Sequence, residues 1–305
     1  MGIGRERGVM RESSSGLWKL LVSEVGLRHG FGCGESDGEF VLSGAAGVRI
    51  VLPSTRLARR VARAPRQLWA ALVGDRLEMQ IADLTAGHLE MARLESVRPL
   101  LRTRLCSART KGLINDVRRL VAPGLLQRVL VDFGEIMIPV TYAAALRWGA
   151  QESDLFEIAE RNTRAEGGLD LMAAEIDGMD DVDMQMLYGA SDFVTAHVRW
   201  LDDYPVVGPW GALLVIPGHT HLLVHPITGP TVFAGTSLLA QLLVAGEAES
   251  RPVSRSIYWW RNRITVDIAA TIRGSGDRME VVPADHLEAL LAIMRRDGND
   301  RFPRT

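Results

Sequence analysis

The stretch Gly211–Ile227, GALLVIPGHTHLLVHPI, consists of two apolar runs on either side of a Pro-Gly dipeptide. Each run has the length and aliphatic content of a β-strand, and Pro217-Gly218 is a turn signal. Two strands joined by so short a connection pair antiparallel, because a parallel pair needs a crossover of a dozen residues or more. The stretch therefore predicts a β-hairpin and, with it, an antiparallel sheet.

Two more hairpins are predicted in the same half of the chain. Residues 127–140 form apolar runs that turn at Gly134, and residues 254–272 turn near Asn262. Helical patterns separate the hairpins, at residues 141–149, 152–165, 190–201, 231–250 and 283–296. Hairpins that alternate with helices predict an α+β fold with an antiparallel sheet and helices packed on the sheet faces, rather than a doubly wound parallel sheet.

Local signals refine some of these helices. Ser153 is predicted as the N-cap of the helix over 152–165, and Ser191 as the cap of the helix over 190–201. Earlier in the chain, residues 16–25 have helical spacing, and residues 86–106 are helical in pattern but interrupted by Pro99.

Composition and charge favour a water-soluble, cytoplasmic protein. The 305 residues are 47% hydrophobic and 24% charged, and no apolar run is long enough for a membrane span. Residues 1–130 carry 21 basic and 12 acidic side chains, whereas residues 131–305 carry 14 and 25. We therefore expect a flexible leader over 1–15, a basic α+β region over 16–127 and an α+β domain over 128–305.

Residues 128–270 resemble the YtpQ-like family of bacterial proteins, a domain of unknown function. The resemblance is carried by VLVDFGEIMIPVTYAAALRWG with the helix that follows it, QMLYGASDFVTAHVRWL, ALLVIPGHTHLLVHPI and PVSRSIYWWRN. It implies a cytosolic bacterial α+β protein and carries over no catalytic residue. The histidines of the PGHTH turn depart from the family pattern, so the resemblance does not imply a metal there.

Three histidines in the quoted hairpin raise the question of a metal site. On a strand, His219, His221 and His225 point to one face, but residues two apart are separated by roughly 7 Å. Zinc needs its nitrogen ligands at about 2.0–2.1 Å, so only His219 and His221 can converge on one ion. No cofactor is expected overall. The alternative is a zinc-dependent hydrolase that uses this pair with an acidic residue such as Asp192.

A basic stretch in the first half suggests a second alternative. Four arginines, Arg59, Arg60, Arg63 and Arg66, lie within eight residues and could contact phosphates. No helix-turn-helix, zinc finger or aromatic stacking platform accompanies them. Nucleic-acid binding is therefore an open alternative without a motif, beside a solvated basic face.

The tryptophans support the leading hypothesis. Trp259 and Trp260 are adjacent on a predicted strand and Trp210 precedes the quoted hairpin. Tryptophan is enriched among the residues that carry binding energy at protein interfaces. The sequence has no nucleophile elbow, phosphate-binding loop or dinucleotide fingerprint. We therefore expect a non-catalytic module that binds an unidentified protein partner through Trp210, Trp259 and Trp260.

Overall fold

The computed structural model describes residues 19–300, except for short internal segments. Those segments are 37–38, 45–48, 53–60, 62, 66–67, 70, 75–92, 111–112, 135, 175–181, 247–251, 262–264 and 275–277. The predicted leader over 1–15 and three of the four predicted anion-binding arginines, Arg59, Arg60 and Arg66, lie outside the described residues.

The chain divides into two compact units that are each discontinuous in sequence. Unit 1 consists of residues 1–102, 111–117 and 129–162, and unit 2 of residues 103–110, 118–128 and 163–305. The chain crosses between the units five times, and one crossing follows Arg128, one residue from the boundary predicted at residue 127, which stays a prediction. A physical reason for the crossings is that two long strands, Leu101–Ser107 (β4) and Leu125–Asp132 (β6), each contribute residues to both units.

The first sheet begins after a helix over residues 19–28 (α1). Its described strand order is β1-β2-β3-β7-β6-β4, and β5 pairs with β6. A short helix (α2) precedes β4, and two further helices, α3 and α4, follow β7. The remaining strands of this sheet are Gly32–Ser36 (β1), Glu39–Ser43 (β2), Arg49–Leu52 (β3), Arg118–Ala122 (β5) and Met137–Pro139 (β7). The three helices are Leu94–Val97 (α2), Tyr142–Arg147 (α3) and Glu152–Arg164 (α4).

The second sheet lies in unit 2 and has the described order β14-β13-β12-β10-β11-β9-β8. The quoted hairpin forms β10 and β11, as predicted, with Leu214 opposite Val224. The strands are Asp170–Ala173 (β8), Gln185–Tyr188 (β9), Ala212–Val215 (β10), His221–Pro226 (β11), Ser256–Arg261 (β12), Thr265–Arg273 (β13) and Glu280–Pro283 (β14). Two helices, Val232–Gly246 (α5) and Asp285–Asp300 (α6), complete the unit.

Both faces of the second sheet are buried at its central strands, β10, β11 and β12. Leu213 and Val215 of β10 point to a core that includes Leu239 of α5 and Leu290 of α6. Their neighbour Leu214 points to the other face. The 3₁₀ segment Val194–Asp203 covers that second face, together with residues of β4, β5 and β6 that belong to unit 2. Every described register is antiparallel, so the α+β prediction is confirmed.

The predicted helix over 86–106 is wrong in its last part. The described helical residues end at Leu100, and Leu101–Ser107 is a strand. Six of its seven residues are buried, including Arg104. A strand buried on both faces has no period-two alternation, so its apolar positions can match a helical spacing by chance. Among the described residues, no helix is long and apolar enough to cross a membrane.

Candidate functional site

The site begins with a tight loop, Val207–Gly211, whose glycines hold it against the second sheet. Gly208 and Gly211 pair as an isolated bridge, with hydrogen bonds in both directions. A Cβ on Gly208 would lie 2.3 Å from the carbonyl oxygen of Ile227, and one on Gly211 would lie 2.1 Å from that of Trp260. Gly211 also has φ +91°, a conformation that other residues rarely adopt. The two glycines of GPWG thus let the loop backbone approach the sheet more closely than residues with a side chain could.

Trp210 lies at the centre of this loop. Its N–H donates to the carbonyl of Ile227 at 3.3 Å, and its own carbonyl accepts from Nε1 of Trp259 at 2.8 Å. The indole of Trp210 nevertheless remains 41% exposed. A large aromatic side chain is therefore presented to solvent from a backbone that is fixed on both sides.

Trp259 forms the floor beside Trp210. The ring of His286 stacks on it at 5.6 Å between centroids with 14° between the planes. The guanidinium of Arg261 lies 4.6 Å from the centroid of the same indole, in cation–π range. Asp267 accepts from Arg261 at 2.7 Å and fixes its position. Trp259 itself is only 7% exposed, so it supports the cleft more than it offers surface.

These groups line an open cleft of about 590 Å³. One wall is the loop with Trp210, and the other is one face of α6. The α6 residues of this wall, His286, Ala289, Leu290 and Ile293, recur at the spacing of a single helical face. Ile293 is exposed despite being apolar. The cleft therefore offers two exposed apolar side chains, from Trp210 and Ile293, on rigid elements.

No family model, curated protein or solved structure matches this chain. The functional assignment therefore rests on geometry. The resemblance of residues 128–270 to the YtpQ-like family stays a prediction.

Trp260 does not share the surface position predicted for it. Its side chain is 2% exposed, and its Nε1 donates to the carbonyl of Val198 at 2.8 Å. It belongs to the core on the face opposite Trp259, as alternation along a strand requires. Of the three tryptophans named from the sequence, Trp210 is the one with a large exposed area.

The three histidines of the hairpin occupy different positions in it. His219 lies in the turn, and His221 begins β11 opposite Tyr188. His225 is buried, with Nδ1 2.6 Å from the carbonyl oxygen of Asp183, and burial lowers its pKa. Among the described residues no group of three metal-ligand side chains occurs. Zinc at His219 and His221 stays a prediction that needs ligands from elsewhere.

Arg63 is the one member of the predicted anion-binding stretch that the structure describes, and it is exposed. Nucleic-acid binding through that stretch therefore also stays a prediction.

A polar cluster that sequence reasoning missed surrounds His197. The hydroxyl of Tyr204 lies 2.5 Å from His197 Nδ1 and accepts from the N–H of Leu169 at 3.2 Å. Burial lowers the pKa of His197 to about 4, so the ring is neutral at pH 7. Burial likewise raises the pKa of Tyr204. The arrangement is consistent with a Tyr204 hydroxyl that donates to Nδ1 and an imidazole proton on Nε2.

Charged groups border this histidine. Arg164 and Asp203 form an ion pair, and Ser191 donates to Glu166 at 2.6 Å. Arg164 also lies over the ring of Trp200. His197 and Tyr204 are seven residues apart and match no catalytic motif, so only the fold brings them together. The hydrogen bonds and the ion pair of this cluster fix the C-terminal end of the 3₁₀ segment, because each of these polar groups has its partner inside the cluster.

Proposed function

We propose that this chain is a protein-binding module and that its partner contacts the Trp210 cleft. The observation that carries the proposal is the exposed indole of Trp210 on a backbone held by two hydrogen bonds. The resemblance of residues 128–270 supports the accompanying proposal of a YtpQ-like bacterial protein that acts in the cytoplasm.

Fixing Trp210 favours binding for a thermodynamic reason. Ordering a mobile side chain or loop at an interface costs about 0.5–1.5 kcal/mol for each group that is immobilised. The loop around Trp210 packs closely on the sheet because Gly208 and Gly211 allow the approach, so little rearrangement of this loop is left for binding. Tryptophans with such support are typical of the few residues that dominate binding energy. Ile293 extends the apolar contact area on the opposite wall.

Site-specific photocrosslinking tests the proposal. Replacing Trp210 with p-benzoylphenylalanine should give a discrete covalent adduct with one partner in the cells that naturally carry the protein. The matched control places the same group at Leu146, which is 82% exposed but lies in unit 1. The variant Ile293→Glu puts a charge on the opposite wall and should reduce the Trp210 adduct about tenfold or more.

Two results would overturn the proposal. One is the absence of any adduct from position 210 while the protein remains folded. The other is an identical set of adducts from positions 210 and 146, which would indicate random collisions.

A further inference from the structure

The second sheet ends at an exposed strand. In the described part of the chain, β8 pairs with β9 on one side and with nothing on the other. All four residues of β8, Asp170–Ala173, are exposed. An uncovered edge strand presents unpaired main-chain groups to which another extended chain can add.

The register shows which groups of β8 face outward. Ala174 N–H donates to Met184 at 2.8 Å, and the pairing places Met172 opposite Met186. Residues of an antiparallel pair alternate between bonding the neighbour strand and facing away from it. Met172 therefore bonds β9, whereas Leu171 and Ala173 direct their N–H and C=O groups to the open edge.

The other end of the sheet is less suited to such an addition. Ala284 N–H donates to Ala269 at 2.8 Å, so the same alternation makes Pro283 an outward-facing residue of β14. Proline has no N–H to offer, and prolines on edge strands prevent pairing. Neither proline nor lysine, the two residues that most often protect an edge, occurs in β8.

The side chains of β8 indicate what would bind. Leu171 is 39% and Met172 49% exposed, while Asp170 adds a carboxylate at the start of the strand. Residues 165–198 contain no Lys or Arg, and Glu166, Asp170 and Asp183 are exposed carboxylates among the described residues there. A second copy of β8 would therefore bring acidic groups against acidic groups, which disfavours pairing between copies of this chain.

We infer that the β8 edge binds an extended, basic peptide segment of another protein as an added strand. In the antiparallel orientation the residue opposite Asp170 is Lys or Arg, and the two residues before it are apolar, opposite Leu171 and Met172. The main-chain groups of Leu171 and Ala173 supply the hydrogen bonds, and the acidic surroundings select the charge of the peptide. This edge is a different surface from the Trp210 cleft.

A proline substitution separates edge pairing from folding. Leu171→Pro removes an outward N–H and leaves the bonds between β8 and β9, as Pro283 does on β14. Leu171→Val is the matched control, since it keeps the N–H and the strand preference. The probe is the fluorescein-labelled peptide Thr-Lys-Thr-Val-Val-Arg-Thr-Lys, with Glu replacing its Lys and Arg in a second peptide. Binding is measured by fluorescence anisotropy with the full chain.

We expect the wild-type protein and Leu171→Val to bind the basic peptide and not the acidic one. Leu171→Pro should weaken binding about tenfold or more, with unchanged circular dichroism. Asp170→Asn should weaken it a few-fold, and added salt should do the same.

Three results would overturn the inference. They are no binding by the wild type, equal binding by Leu171→Pro, and a wild-type dimer that Leu171→Pro dissociates, which would make a second copy the occupant. None of them affects the Trp210 proposal, because β8 contributes no residue to that cleft.

Discussion

Gly211 is a position at which the fold accepts no residue with a side chain. Its φ of +91° and the 2.1 Å that would separate a Cβ from the carbonyl oxygen of Trp260 leave no place for a side chain. The sequence does not reveal that Gly211 packs on Trp260. That contact is between residues distant in sequence, and only the fold creates it.

We predict that Gly211→Ala unfolds the protein or destabilises it by about 3 kcal/mol or more, since strain at the backbone adds to a clash with backbone atoms. Gly149→Ala is the control. Gly149 also has a positive φ, +63°, but a Cβ there would meet nothing within 4 Å. It should cost only about 1 kcal/mol. Urea denaturation of both variants measures the difference, and equal losses would show that the contact with Trp260 is unimportant.

His197 should make the stability depend on pH. Its folded pKa of about 4 lies below the ordinary 6.5, so the unfolded chain takes up the proton first as the pH falls. Stability is then lost between pH 6.5 and pH 4, by roughly 3 kcal/mol for this group. Urea denaturation at pH 7, 5.5 and 4.5 should show a flatter pH dependence for His197→Gln than for the wild type. Parallel curves would contradict the prediction.

At the scale of elements, the quoted hairpin and the turn at Gly134 were predictable, whereas β4 and the β5–β6 hairpin were not. The turn at Gly134 and the quoted hairpin follow from apolar runs flanking Gly or Pro-Gly. The strand β4 carries arginines and is buried on both faces, so its pattern resembled a helix. The β5–β6 hairpin was missed although Pro123-Gly124 marks its turn. Local signals thus identified even buried strands, such as β10 and β11, where apolar runs flank a turn, and failed for β4, where arginines interrupt the apolar run.

The positions of helix caps were also not predicted correctly from local sequence signals. The predicted N-cap Ser153 lies inside α4, which begins at Glu152, and its hydroxyl donates to Asp154. The predicted cap Ser191 precedes the 3₁₀ segment by three residues and accepts from Phe193 N–H. Both cap predictions are therefore wrong in position. By contrast, Thr141 caps α3 by accepting from the N–H of Ala144 at 3.1 Å.

We expect Thr141→Ala to lower the free energy of unfolding by about 1 kcal/mol, because Ala144 N–H loses its acceptor. Ser153→Ala is the matched control and should change stability by less than about 0.5 kcal/mol, since Ser153 is exposed and caps nothing. Thermal denaturation monitored by circular dichroism resolves both values. A larger loss for Ser153→Ala would restore the capping role predicted from the sequence.

At the scale of the whole molecule, the order of the chain and the division into units do not coincide. The core on one face of the second sheet contains Leu105, Ala122 and Leu125, all from before the boundary predicted at residue 127. Sequence reasoning placed that boundary where the resemblance to the YtpQ-like family begins, next to the change in charge balance. Charge reports on the surface, whereas the units are defined by which apolar residues are buried together.

A fragment of residues 128–305 should therefore fail to fold cooperatively, because it lacks those three buried side chains. A fragment of residues 103–305, which contains all of unit 2, should keep the near-ultraviolet circular dichroism of its buried tryptophans. Urea denaturation of the two fragments tests the expectation. A cooperative transition in residues 128–305 would support the boundary predicted from the sequence.

The unequal ends of the second sheet also limit stoichiometry. Chains that add to one another edge to edge form open-ended fibres only when each chain has two edges to offer. Here Pro283 takes one of the two outward positions on β14 and leaves Val281 with the one outward N–H of that strand, whereas both outward residues of β8, Leu171 and Ala173, keep theirs. Head-to-tail addition of copies through the two ends of this sheet is therefore disfavoured, which favours complexes with a fixed number of chains over open-ended fibres built through this sheet.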